Sequence, residues 1–258
     1  MLMLSLLGAA IGWRPDSDAP SLGRVALLLL LVGGAATAQA ASEGSRSVSP
    51  ASFGAASELF NERMEVPSPY PRTLMFVRCF AIVEVDGAIA HVSCNPNREG
   101  RAYSERLGLA VGAAAEGLRL RPAEVDGEPV PLRRFPFSVM VAPRPDDPIG
   151  RPLTKVVPNH LLQTADYGLD YIAPQEVFTE ARMEGCRTSR ALTFAYTVTI
   201  SAQGQPGAPM LADERTREIC EADLLSYLAD TVFLPASHEG RFVDAQYLDS
   251  VTIEGNDG

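Results

Sequence analysis

The chain has 258 residues, 46% of them hydrophobic and 21% charged, with a formal net charge of -10. That length admits one medium domain or two small ones with modest cores. Its basic residues are 21 arginines and a single lysine, Lys155, with no basic cluster, which argues against nucleic acid or anionic lipid as a partner.

Arg24 precedes the apolar run VALLLLLV (25–32) and the small-residue site Ala38-Gln39-Ala40. This pattern predicts a signal peptide over 1–40, cut before Ala41. The alternative is an uncleaved inner-membrane anchor facing the periplasm, for which the apolar stretch is at the lower limit of length. Cleavage leaves the net charge unchanged, since residues 1–40 carry two basic and two acidic side chains. The Ser-rich segment 41–57 reads as a flexible leader.

A strand-like run (73–85) follows, then Asp86-Gly87 as a two-residue turn and AIAHVSC as the return strand. Pairing symmetric about that turn sets Cys79 directly opposite Cys94, at a spacing that a disulfide bridges. Free buried thiols or zinc are the other readings. Zinc lacks further ligands, because His91 falls on the opposite face, and a redox Cys-x-x-Cys is absent. Next, Tyr103, Leu107, Ala110, Val111, Ala114 and Leu118 recur at helical spacing, with Gly108 and Gly112 weakening the helix. RLRPAEVDGEPV (119–130) and the strand RFPFSVMV (134–141) close this stretch.

The Pro-rich PRPDDPIGRP opens an expected linker over 143–173. Beyond it the pattern returns. EVFTEARMEG (176–185) matches ELFNERMEV (58–66). ALTFAYTVTIS (191–201), a Gly/Pro turn and APMLA form a second hairpin. Cys220, Leu224 and Leu228 mark a second helix, capped by Asp213 or Thr216. VFLPASHEGRFV matches the earlier connection, with Pro122, Ala123, Gly127 and Val130 recurring 113 residues later, and AQYLDSVTIE (245–254) ends the pattern. The expected organisation is α+β: two tandem small domains, 58–142 and 174–256, each an antiparallel sheet with one main helix on a face. Locality of the first cysteine pair leaves Cys186 to bond Cys220.

The second unit resembles the C-terminal domain of TonB, the periplasmic energy transducer. The resemblance rests on Ala181-Arg182-x-x-Gly185 in a short entry helix, the glycine-bearing hairpin, the helix, Pro235-Ala236 and the turn at Gly240. The first unit keeps all of this but the entry motif. The resemblance implies a small sheet with an edge strand that binds a partner strand, as TonB binds a segment of an outer-membrane transporter. The candidate edges are the closing strands: Arg134, Phe135, Phe137, Val139 and Val141 in the first unit, and Tyr247, Asp249, Val251 and Ile253 in the second.

Catalytic signals are sparse. His160 and His238 read as solvated loop residues, Asp166 and Tyr171 bracket a DYGLDY run, and no nucleophile elbow, zinc-protease helix or P-loop is present. No catalytic, metal or cofactor-binding residue is assigned. The expectation is a non-enzymatic periplasmic protein that binds protein or peptide, with no nucleic-acid partner, and membrane attachment only through an uncleaved leader. A divergent energy transducer for outer-membrane transport and an envelope enzyme of unknown type are the alternatives.

Overall fold

The computed structural model describes residues 46–95, 101–144, 151–183, 186, 188 and 190–254. The expected signal peptide (1–40), the first residues of the leader, the centre of PRPDDPIGRP and Gly185 lie outside the described residues.

The fold is α+β. In chain order it runs β1 (Val48–Ser49), α1 (Ala56–Arg63), β2 (Met75–Val83), β3 (Ile89–Asn95), α2 (Arg101–Ala115), β4 (Ala123–Val125), β5 (Glu128–Val130) and β6 (Leu132–Ala142). Then come β7 (Leu153–Val157), α3 (Thr164–Tyr167), β8 (Gln175–Val177), β9 (Leu192–Ile200), β10 (Met210–Leu211) and α4 (Glu214–Asp230). The chain finishes with β11 (Phe233–Leu234), β12 (Ala236–His238), β13 (Arg241–Val243) and β14 (Ala245–Ile253). One sheet has six strands in the order β11-β8-β6-β2-β3, with β7 also on β6. A second has the order β10-β9-β14.

Each main helix covers one sheet. Leu107, Val111, Ala114 and Ala115 of α2 are buried in a core with Val77, Cys79, Ala81 and Val83 of β2. Gly108 lies where a Cβ would sit 3.2 Å from the Cys94 Cβ, so its missing side chain lets α2 approach β3. On α4, Cys220, Leu224, Tyr227 and Leu228 face Phe194, Tyr196, Val198 and Ile200 of β9. The Asp213 carboxylate caps α4 by accepting from the Thr216 N–H at 2.8 Å.

The two halves share the order strand, strand, helix, then a short hairpin and a long closing strand, with the two-residue β11 added after the helix in the second half. Ala123 pairs with Val130 and Ala236 with Val243, 113 residues on. The hairpin turns match as well. Gly87 donates to the Glu84 carbonyl and Gly204 to the Ser201 carbonyl, both with φ near +80°. A Cβ on Gly87 would lie 2.1 Å from the Leu120 carbonyl oxygen, and one on Gly204 2.5 Å from that of Phe233. Segments expected outside the domains join this correspondence. Ser49 faces Glu124 and Ser52 faces Arg121, as Ile172 faces Ser237 and Gln175 faces Leu234.

Cys79 is bonded to Cys94 and Cys186 to Cys220, as expected. Cys79 stands directly opposite Cys94 in the ladder, and the predicted register holds from Arg78 to Ile82. Nearer the turn it shifts, so that Val83 pairs with Ile89 and Glu84 bonds Ala88. The connection is therefore a three-residue loop, Val85-Asp86-Gly87, that ends in a left-handed glycine, not the two-residue Asp86-Gly87 turn, and the unpaired Ala90 restores the register beyond it.

Several expectations are corrected. The described part of the leader is structured: β1 pairs with β4, and Ala51 and Phe53 are buried. The linker holds β7, paired with β6 from Ser138 to Ala142, and α3. The entry helix over 176–185 is absent among its described residues. Residues 175–177 are a strand whose backbone is taken by β6 on one side and β11 on the other. The match of 58–66 to 176–185 is thus out of structural register, because pairing puts Glu176 in the place of Phe53.

Candidate functional site

The two closing strands differ in their surroundings. β6 runs through the middle of its sheet, with β2 along one side and β7 and β8 along the other. Phe135, Phe137, Val139 and Val141 are fully buried, so the first expected edge does not exist. Arg134 faces Glu176 across the β6–β8 ladder. The cause is the supposed linker, whose strand β7 covers the far half of β6.

β14 pairs along its whole length with β9, and no second strand pairs with it among the described residues. Its backbone phase follows from its neighbour. The Thr199 carbonyl accepts from Gly207, on the β10 side, so Thr199 and its odd-numbered neighbours point away from β14. Their partners Gln246, Leu248, Ser250 and Thr252 therefore point their backbone groups outward. Two of these four amides are occupied by side chains: Gln246 N–H donates to Gln163 Oε1 at 2.5 Å, and Ser250 N–H to Asp249 Oδ1 at 2.7 Å. Tyr247 and Asp249 turn their side chains into the core, while Val251 and Ile253 are half-buried against it.

The inward side chains of β14 meet a buried ionisable cluster that no sequence motif announces. Glu176 of β8 accepts from the Tyr227 hydroxyl at 2.5 Å and the Tyr247 hydroxyl at 2.8 Å. Arg133 lies 3.6 Å from Glu176, and Arg134 3.4 Å from Asp249. Both arginines come from a bulge. Between the pairs Phe135–Ala81 and Leu132–Val83, two residues of β6 oppose the single Ile82. A regular strand would send neighbouring side chains to opposite faces. The bulge re-aims them, and both reach carboxylates buried in the second half.

Burial pushes the Asp249 carboxyl up to about 6, against the pull of Arg134 and the Ser250 amide. Tyr196, opposite Asp249 in the ladder, has a buried hydroxyl without a hydrogen-bond partner; burial, and then Asp249, push it up. Burial and Glu176 likewise raise Tyr227 and Tyr247.

His160 is not a solvated loop residue. It is 5% exposed, and its Nε2 lies 2.7 Å from the Cys79 carbonyl. Its ring meets Phe80 edge-on at 4.4 Å, and the Arg134 guanidinium lies 5.0 Å from the centre of the Phe80 ring. Burial pulls its pKa down to about 4. With Pro136, Tyr171, Ala173, Tyr247 and Leu248 it lines a cavity of about 10 Å³, the size of one water. His91 is exposed, and His238 lies in β12, 5.4 Å from Tyr167 between ring centres. Tyr171 is buried with its hydroxyl on the Leu162 carbonyl, while Asp166 is exposed.

No group of side chains able to hold a metal ion occurs among the described residues, and no described helix is long and apolar enough to cross a membrane. Comparisons with protein families, with curated proteins and with solved structures find no match to this chain.

Proposed function

We propose that this chain is an exported, non-enzymatic binding protein of the cell envelope, built from two TonB C-terminal-like units, that takes up an extended peptide or protein segment along the outer edge of β14. The carrying observation is the open edge itself: a nine-residue strand that, among the described residues, is paired on one side only. An added strand gains main-chain hydrogen bonds there, and alternate side chains supply selectivity. The outer face of that sheet, with Thr193, Ala195, Thr199 and Thr252 exposed, is polar and solvated, which suits a water-borne partner. The two disulfides fit an oxidising compartment. The periplasm is that compartment in this reading, reached through the signal peptide.

The arrangement of the ionisable cluster favours binding over catalysis. Its carboxylates are closed off by tyrosines and arginines of their own chain, and the neighbouring cavity has room for a water but not a substrate.

Proline at an outward-pointing position removes an edge N–H without touching the β9 ladder. The double variant L248P/T252P is expected to keep its fold and lose the partners that the wild type captures from periplasmic extract. Unchanged capture by the folded double variant overturns edge pairing. Val251 is unsuited to this test, because its amide points to β9.

A further inference from the structure

Strands left at sheet edges are ordinarily protected by charge, bulges or covering segments. β14 carries an unusual protection. Asp249 lies in the middle of the strand with its side chain turned inward and 4% exposed, yet its Oδ1 accepts from the outward-pointing amide of the next residue, Ser250, at 2.7 Å. Its Oδ2 lies 3.4 Å from Arg134, on the other sheet. One carboxylate therefore both anchors the strand from within and fills a hydrogen-bonding position that an incoming strand needs.

We propose that Asp249 gates the β14 edge: its carboxylate, held by Arg134, occupies the Ser250 N–H, and a partner strand pairs across the middle of the edge only when that carboxylate is displaced or protonated. The proposal rests on the edge-binding reading above and adds its regulation. A strand in register along β14 needs the outward groups of Leu248, Ser250 and Thr252 in succession. With Ser250 capped, the open amides of Leu248 and Thr252 are separated by an occupied one, and a short contact at either end is all that forms.

The groups facing Asp249 set the direction of the effect. Arg133 and Arg134 on β6 favour its charged form. Burial, Glu176 on β8, and the tyrosines Tyr196 on β9, Tyr227 on α4 and Tyr247 on β14 surround it with a carboxylate and raised phenols. A neutral carboxyl accepts a hydrogen bond from Ser250 about half as strongly as a charged one. Mild acid thus loosens the cap, and by reciprocity a strand that takes the Ser250 amide raises the proton affinity of Asp249.

The test needs a readout on the gate and a separate one on the edge. For the gate, the Asp249 carboxyl carbon and the exchange protection of the Ser250 amide are followed by NMR from pH 4.5 to 8 in the whole purified protein. Ser250 is expected to be protected at pH 7.5, unlike Leu248 and Thr252, and to lose several-fold protection in step with the Asp249 titration. The S250P variant, which removes the capping donor at an edge position, is expected to move the Asp249 midpoint upward. A Ser250 amide indifferent to the titration, or an unmoved midpoint in S250P, overturns the gate. For the edge, the probe is a soluble heptapeptide of alternating threonine and valine with lysine ends. It is expected to bind several-fold more tightly at pH 5.5 than at 7.5, and equally at both in D249N. Equal binding by the wild type at both values overturns the gate alone. Absence of binding at both, with the Ser250 titration intact, overturns the edge reading and with it any gating of a partner.

Discussion

The same place in the two halves is filled in opposite ways. In the first half Phe53, Phe135 and Phe137 pack ring against ring, with centroids 5.4 to 6.1 Å apart. The shared strand pairings put Glu176, Tyr247 and Asp249 at the corresponding positions of the second half. The helix position filled by Ala114 in α2 is Tyr227 in α4, and Cys79 on β2 corresponds to Tyr196 on β9. At this place the first core is held by dispersion and exclusion of water alone, while the second adds hydrogen bonds and ion pairs to its apolar surround. The apolar core belongs to the half whose closing strand is walled in on both sides. The polar core belongs to the half whose closing strand has, among the described residues, a partner on one side only. A strand anchored by titratable, directional contacts is one whose hold responds to conditions, and an apolar stack has no such handle.

Breaking the polar core carries the largest expected effect. E176A leaves two buried tyrosine hydroxyls without their acceptor and the half-exposed Arg133 without its carboxylate, a loss of about 3 kcal/mol by the measure of other broken buried pairs. It also cuts one of the two arginine contacts between the halves, that of Arg133, and leaves Arg134 on Asp249. Urea unfolding followed by tryptophan-independent circular dichroism checks the size. A single cooperative transition moved to lower urea is expected, and two separated transitions would mean that the halves do not depend on this contact.

The turn glycines sharpen the likeness that the cores hide. G87A and G204A each put a methyl group against a backbone carbonyl at a positive φ, and each is expected to cost about 3 kcal/mol by strain and overlap together. Gly127 and Gly240 have positive φ and open space around them, so their alanine variants are expected to cost only about 1–2 kcal/mol. Thermal midpoints of the four variants, each pair falling together, check the correspondence. A mild G204A beside a severe G87A would break it.

The pH response separates the two sides of the polar core. The folded chain keeps the Asp249 proton up to about pH 6, while the unfolded chain releases it near 3.8, so rising pH across that window removes stability. His160 has the opposite sign. The unfolded chain takes its proton near 6.5 and the folded one only near 4, so rising pH over that range restores stability. Each contribution amounts to about 3 kcal/mol, and in the wild type the two offset each other. Relative to the wild type, H160Q is expected to lose stability as pH rises from 4 to 6, and D249N to gain it. Denaturant midpoints at pH 4, 5, 6 and 7 decide this, and parallel profiles for all three proteins would refute the assignment.

What the sequence made legible follows from range. The Cys79–Cys94 register, the helix stripes and the recurrence at 113 residues depend on neighbours in the chain, and local patterning reports them. The interior place of β6 depends on β7 and β8, which arrive from residues 153–157 and 175–177. Those segments read as linker and entry helix because Pro-rich flanks and a nine-residue likeness outweigh three or five strand residues. The polar core left one visible trace. In Ala245, Tyr247, Asp249, Val251 and Ile253 an acid stands among alternating apolar residues, at the position where the first half has Phe137. The bulge that turns Arg133 and Arg134 to the same side has no sequence sign, since it arises from the fit of β6 to Ile82 on β2.

The smallest expected effect on stability is the most informative about the edge. Thr252 is exposed, and its amide points away from β9. Proline there removes an amide donor that no described strand uses, together with the exposed hydroxyl contact to Thr193, and its fixed φ lies within the range that edge strands accept. T252P is therefore expected to shift the denaturation midpoint by no more than about 0.5 kcal/mol. Val251, one residue earlier, gives its amide to the β9 ladder, and V251P is expected to cost about 3 kcal/mol through the lost bond and the ring's clash. In the first half the same pair of changes loses its contrast. Proline at Val139 or at Met140 strikes a strand paired on both sides, with Val139 against Val77 and Val156 and Met140 against Phe76 and Lys155. Both V139P and M140P are expected to unfold the chain at room temperature or reduce its midpoint to a similar, large extent. Alternation of severe and silent proline variants along β14, with uniform severity along β6, is what a free edge in one half and a covered strand in the other require. A severe T252P would place a hidden partner on the outer side of β14.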